Sequence, residues 1–176
     1  IQPQLGNEAP GTIFKVDILQ GGFAPLATLA YNYELDWDVD PGSAYVSASL
    51  AGFPNGNDIV RLALDTGATQ VVAHVSGPSG PLAIDAQVDL YYSTQWDGSY
   101  PPPLAQEQLI RWDAAELTGG SMLDESDADI LTSGLDGGSS LVHDAQGERL
   151  FLCDVNALGF DNEIYQVMLG LVGRVL

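Results

Sequence analysis

Turn-forming residues divide this chain into short segments. The 176 residues include 20 Gly and 10 Pro. Clusters such as Asp40-Pro41-Gly42 and residues 77–81 separate runs rich in β-branched and aromatic side chains. Segments of this length are typical of β-strands, and most are too short for a stable helix. The spacing of the turn signals therefore predicts an all-β chain.

Two segments show a clean two-residue alternation, residues 29–39 and residues 82–92. In the first, apolar side chains occupy every second position from Leu29 to Val39. The positions between them include four polar residues: Asn32, Glu34, Asp36 and Asp38. This alternation predicts half-buried strands with the apolar side chains inward and the carboxylates in solvent.

Further β-rich segments lie at 12–20, 44–50, 58–64, 69–76, 141–143, 149–155 and 163–176. One helix is predicted over 104–117 from its composition, although residues 108–112 also fit a strand. Residues 118–140, rich in Gly, Ser and Asp, read as a surface loop. We therefore predict a single antiparallel β-sandwich over 12–176, jelly-roll-like, with about eight or nine strands and at most one short helix. Residues 1–11 would form an N-terminal arm.

The charge balance excludes some partners. Five Lys and Arg oppose 24 Asp and Glu, a formal net charge of −19. So few scattered bases argue against nucleic-acid binding through phosphates and against an anionic membrane surface. No apolar run is long enough to insert into a membrane. The acidity predicts adaptation to high salt, with a mildly acidic secreted or virion protein and calcium binding as alternatives. The single cysteine, Cys153, lies in an apolar run and is predicted to be a buried, inert thiol.

The sharpest local motif is Asp65-Thr66-Gly67-Ala68, with apolar residues on both sides. It resembles the active-site segment of aspartic proteases, and Met168-Leu169-Gly170 resembles that family's second motif. The resemblance implies a retropepsin-like dimer in which Asp65 supplies one carboxylate of the catalytic dyad, beside Thr66 and Gly67. The alternative, which we favour, is a hairpin turn, because Asp and Gly are preferred turn residues.

A second motif comprises Asp36, Asp38 and Asp40 followed by Gly42, and it is similar to the start of a calcium loop. The alternative is that these carboxylates form the solvent face of a strand. The aromatic residues Tyr91, Tyr92, Trp96 and Tyr100 could line a sugar or partner surface. We predict no catalytic residue and no cofactor, with calcium as the open alternative.

These observations favour a non-enzymatic structural subunit of a larger assembly. The specific expectation is a virus capsid or capsid-associated protein from a salt-adapted system, located in a virion or outside the cell. Its partners would be copies of itself or sister structural proteins. The alternatives are the dimeric aspartic protease and an extracellular calcium- or carbohydrate-binding module.

Overall fold

The computed structural model describes residues 11–37, 42–52, 56–95, 107–155 and 162–169. They form thirteen strands in four antiparallel sheets. Sheet 1 holds β1 (Gly11–Val16) and β2 (Phe23–Leu29). Sheet 2 holds β3 (Asn32–Trp37), β4 (Ser43–Ala48), β5 (Asn57–Ala63) and β6 (Thr69–Val75). Sheet 3 holds β7 (Leu82–Ile84), β8 (Leu90–Ser93), β9 (Glu107–Trp112) and β10 (Asp129–Leu135). Sheet 4 holds β11 (Gly138–Asp144), β12 (Arg149–Val155) and β13 (Asn162–Met168). A short helix, α1 (Ala114–Thr118), and one 3₁₀ turn (Glu125–Asp127) lie between β9 and β10.

Within each sheet, strands that follow one another in sequence are hydrogen-bonded neighbours. The first strands of sheets 2, 3 and 4 lie side by side, because β7 contacts both β3 and β11. Repeated antiparallel sheets with their first strands gathered together are typical of β-propellers, in which four-stranded sheets surround a central channel.

Three apolar interfaces join the four sheets face to face. Leu29 of sheet 1 packs with Val46 and Val60 of sheet 2. Between sheets 2 and 3 the core includes Tyr45, Ile59, Tyr92 and Trp112, and between sheets 3 and 4 it includes Tyr91, Leu109, Leu141 and Leu152. The adjacent residues Tyr91 and Tyr92 of β8 thus enter different interfaces, since successive side chains of a strand point to opposite faces. Sheets 2 and 3 therefore each have a neighbouring sheet on both faces.

The predicted antiparallel all-β chain is confirmed. The predicted single sandwich of about eight or nine strands is not matched, because the described residues place thirteen strands in four sheets. The sheets do pack face to face like sandwich layers, but this packing occurs three times in succession. Residues 1–10 of the predicted arm and residues 170–176 of the last predicted strand lie outside the described residues.

The predicted helix over 104–117 is largely wrong. Within it, residues 107–112 are strand β9, and only α1 is helical. β9 lies between β8 and β10 and buries Leu109, Ile110 and Trp112, so tertiary packing overrides helix propensity. The helix begins at Asp113, whose carboxylate accepts from Glu116 N in a capping box. The predicted loop over 118–140 is also wrong in part, since it contains β10 and the start of β11.

The second alternating segment is a hairpin rather than a single strand, whereas the first is mainly strand β3. In the first, β2 ends at Leu29 and β3 begins at Asn32, with Tyr31 between them at a positive φ of 47°. In the second, β7 ends at Ile84 and β8 begins at Leu90. The described part of the chain contains no helix long and apolar enough to span a membrane.

Candidate interaction surfaces

Two carboxylates of β3 accept hydrogen bonds from the edge of β7 that faces away from β8. Leu82 N donates to Glu34 Oε2 at 3.2 Å, and Ile84 N donates to Asp36 Oδ2 at 3.0 Å. The odd-numbered residues of this segment face β8, because Pro81 O accepts from Ser93 N and Asp85 N donates to Asp89 O. The N–H groups of Leu82 and Ile84 therefore point to β3. Glu34 and Asp36 are two residues apart on β3, as the two N–H groups are on β7, so each carboxylate meets one N–H group. We call this pair of hydrogen bonds the carboxylate bridge.

The carboxylate bridge reverses the predicted orientation of β3. Asn32, Glu34 and Asp36 are half-buried, whereas Tyr33, Leu35 and Trp37 are exposed. Leu35 pairs with Val46, so it lies on the face of sheet 2 that packs on sheet 1. Sheet 1 has only two strands, and its apolar contacts reach β4 and β5 of sheet 2. The apolar residues of β3 are therefore left uncovered.

A cleft of about 580 Å³ opens beside the carboxylate bridge. We call it the inner cleft, because it is lined by the first strands of sheets 2, 3 and 4 and by the residues that follow β7 and β11. Glu34, Asp36 and Asp85 are its acidic residues, His143 is its histidine, and none of the described Lys or Arg residues lines it. Trp37, 68% exposed, adds an indole ring to a wall of mixed polar and apolar character.

Burial perturbs the acidic groups of the inner cleft. It raises the pKa of Glu34 from 4.5 to about 7. The hydrogen bond from Leu82 N lowers this pKa in part, and the charge of Asp36 raises it by a smaller amount. Asp85 is only 6% exposed, and it accepts from Gln87 N, Asp89 N and the Tyr91 hydroxyl. Burial, and the bond to Asp85, raise the pKa of Tyr91 well above its ordinary value. Asp85 thus has its buried charge satisfied, whereas Glu34 is only partly satisfied.

The outer faces of sheets 1 and 4, which we call the end faces, are apolar and exposed. On sheet 1, Phe14 and Val16 lie beside Phe23, which is 75% exposed, and the two Phe rings meet edge to face at 5.5 Å. On sheet 4, Ile164 (73% exposed) and Met168 (51%) share a face with Val142, Phe151 and Cys153. The charged pair Arg149 and Asp144 at this face is joined by a 2.8 Å ion pair. Neither end face shares the strongly acidic character of the chain as a whole.

The structure places Asp65 in an exposed turn of the β5–β6 hairpin. Gly67 N donates to Ala63 O, and Ala68 N donates to Thr66 Oγ1. Gly67 has a φ of +73°, and an added Cβ would lie 2.0 Å from Leu26 O. The backbone conformation of the turn and its close contact with β2 therefore explain why position 67 is a glycine. Met168 lies on β13, in sheet 4 rather than sheet 2, and Gly170 lies outside the described residues.

Of the three calcium candidates, Asp36 belongs to the carboxylate bridge, and Asp38 and Asp40 lie outside the described residues. Over the described ranges, no group of three or more His, Cys, Asp or Glu side chains is arranged to hold a metal ion. Tyr91 and Tyr92 are buried in interfaces, while Trp96 and Tyr100 are outside the described residues. Cys153 is half-buried on an end face rather than buried in the core.

Sequence reasoning did not single out Glu34, Asp85 or His143 as site residues. Their positions depend on which strands of different sheets become neighbours, and no short motif carries that information. The acidic positions of the 29–39 alternation were a partial signal for Glu34, but the pattern predicted that these side chains would face solvent.

No family model matches the chain, and no curated protein matches it. A solved structure does match: the crystal structure of TolB from Acinetobacter baumannii, with a TM-score of 0.62 and 16% sequence identity. The match covers 91% of this chain and 36% of the TolB chain, so this chain spans about a third of that protein. At this identity the likeness concerns the fold alone, and it shows that the four-sheet arrangement has a counterpart among solved structures.

Proposed function

We propose that this chain is a non-enzymatic structural subunit that works packed against further protein in a larger assembly. The observation that carries the proposal is the pair of apolar end faces, at opposite ends of the stack of sheets. The other sheet faces in the stack pack against neighbouring sheets, except along β3, whose apolar side chains are exposed. Apolar patches of this kind on folded proteins mark interaction surfaces.

Copies of this chain are the partners that the geometry supports best. Each copy offers one end face at the sheet 1 end and the other at the sheet 4 end. Contact between them would be head-to-tail, which builds rings or filaments. A virus capsid or capsid-associated subunit is one such assembly, and it stays a prediction made from the sequence.

The test is the size of the protein in solution, measured by sedimentation at low and multimolar KCl. We expect self-association in high salt, weakened about tenfold by Met168→Ser, because burial of a methionine side chain contributes about 1.5 kcal/mol. Met122→Ser is the matched control, since Met122 is 61% exposed but lies outside both end faces. A monomer at every concentration and salt would contradict the proposal. So would a peptidase activity abolished by Asp65→Asn.

A further inference from the structure

Among the described residues, no Lys or Arg neutralises the acidic groups of the inner cleft. Glu34, Asp36 and Asp85 line it. Of the basic residues in the described ranges, Arg111 pairs with Asp89 and Asp129, and Arg149 pairs with Asp144. Arg61 donates to Ser43 on β4, and Lys15 lies on β1 of sheet 1. A cation supplied from outside the described residues would complement the inner cleft.

The wall of the inner cleft favours an organic cation over a hydrated metal ion. Trp37 presents an exposed indole ring, and Leu82, Leu141 and Val142 add apolar surface. An aromatic face attracts ammonium and guanidinium groups, and apolar walls accommodate the alkyl stems that carry them. In the described part of the chain, the carboxylates do not converge into a metal-binding group.

The hydrogen bonds leave acceptor capacity at one position. Leu82 N uses Oε2 of Glu34, and the described contacts of Glu34 leave Oε1 without a donor. Asp36 accepts from both Ile84 N and Trp37 N, so it contributes charge more than free acceptors. A guanidinium or ammonium donor reaching Glu34 would form a charge-assisted hydrogen bond, the stronger kind.

We propose that the inner cleft binds a basic segment of a partner protein, with an arginine or lysine side chain held between Glu34 and Trp37. The volume of about 580 Å³ exceeds one side chain and is within the range of pockets that hold ligands of several residues' size. The apolar wall would take the residues beside the basic one. This surface shares Val142 with the sheet 4 end face, but Glu34 and Trp37 lie outside both end faces, so the proposal does not depend on self-association.

Calorimetric titration of the full chain with two acetylated peptides and one acetylated amino-acid amide tests the proposal. The first peptide alternates leucine with arginine. The second replaces arginine with citrulline, which keeps the shape but removes the charge. The third ligand is N-acetylated arginine amide, which carries the guanidinium charge without neighbours. We expect the arginine peptide to bind at least about tenfold more tightly than either of the others, because one charge-assisted hydrogen bond contributes roughly that factor.

Two variants separate this site from general attraction to an acidic protein. Glu34→Gln should weaken the arginine peptide about tenfold, and Trp37→Leu about threefold through loss of the π face. Glu148→Gln removes the same charge from the exposed β11–β12 turn and should change nothing. Equal binding of the citrulline peptide or of arginine amide would overturn the proposal. An equal effect of Glu148→Gln and Glu34→Gln would also overturn it. The peptide comparison uses the unmodified protein, so it stands even where a variant folds poorly.

Discussion

Three carboxylates with the same chemistry have different environments in this molecule. Asp65 is exposed in a turn, Asp85 is buried with three hydrogen-bond donors, and Glu34 is half-buried with one. Burial raises the pKa of Glu34 to about 7, so its environment rather than its residue type sets its protonation near neutral pH. The motif residue Asp65 has ordinary, exposed surroundings, whereas Glu34, which no motif marks, lies in the inner cleft.

Gly67 tests whether the Asp65 motif is required by the backbone. We expect Gly67→Ala to lower the free energy of unfolding by at least about 3 kcal/mol, from its positive φ and from the contact with Leu26 O. Gly120→Ala is the matched control, because Gly120 also has a positive φ but nothing lies within 4 Å of an added Cβ. Only about 1–2 kcal/mol should be lost there. Equal losses in urea unfolding would show that packing on β2 does not constrain Gly67.

Glu34 should make stability depend on pH. Its pKa is 4.5 when unfolded and about 7 when folded, so the folded state holds a proton that the unfolded state releases. The stability from protonated Glu34 is fully present below about pH 4.5 and is lost as the pH rises through about 7. Glu34→Gln cannot titrate, so its urea midpoint relative to the wild type should rise between about pH 5 and about pH 8. Glu148→Gln should show no such rise. A constant difference between the Glu34 variant and the wild type would contradict this.

At the scale of elements, hairpin turns without glycine or proline shape the fold. The β7–β8 turn runs from Asp85 to Asp89, with Val88 at a φ of +69°. Val at a positive φ is strained, and the carboxylate of Asp85 offsets that strain by accepting from two backbone N–H groups of the turn. A side chain therefore replaces the usual turn residues here.

Asp85→Ala should destabilise the protein by about 3 kcal/mol, because it leaves buried donors without an acceptor. Amide exchange at Gln87 and Asp89, the two donors to Asp85, should accelerate. Asp65→Ala, in the exposed β5–β6 turn, is the control and should stay within about 0.5 kcal/mol of the wild type. A small effect at Asp85 with unchanged exchange would show that the turn is held by other contacts.

Strand positions were predictable from the sequence where a turn signal stood between them. The β4, β5, β6 and β12 strands lie within about two residues of their predicted bounds, since glycine or proline marks the turns around most of them. The β7–β8 hairpin was merged into a single strand because no such residue marks its turn, and residues 23–28 of β2 were not predicted as a strand. β9 was assigned to a helix because its composition hides a strand that tertiary packing stabilises. The candidate site could not be predicted, because it depends on which strands of different sheets become neighbours, and no local sequence pattern encodes that.

At the scale of the whole molecule, acidity and apolar surface are segregated. The net charge is −19, yet the end faces carry apolar side chains and an internally paired Arg149 and Asp144. Self-repulsion opposes both folding and association in dilute buffer. Salt that screens the charge strengthens apolar contact at the same time.

Thermal stability should therefore rise from dilute buffer to about 2 M KCl, where the Debye length is only a few ångströms. The measurement is the unfolding midpoint by circular dichroism at matched protein concentration. Full recovery of stability by millimolar calcium in dilute buffer would instead support the Asp36, Asp38 and Asp40 site. A flat or falling midpoint would remove salt adaptation as the explanation of the charge.

The order of strands within each sheet has an evolutionary consequence. Each sheet is a continuous stretch of chain, and it packs on its neighbours mainly through apolar side chains. A genetic duplication or deletion of one such stretch changes the number of sheets without rerouting the chain, as in other architectures in which units contact only their neighbours. Lineages carrying this fold can thus differ in sheet number, while the geometry of each junction persists.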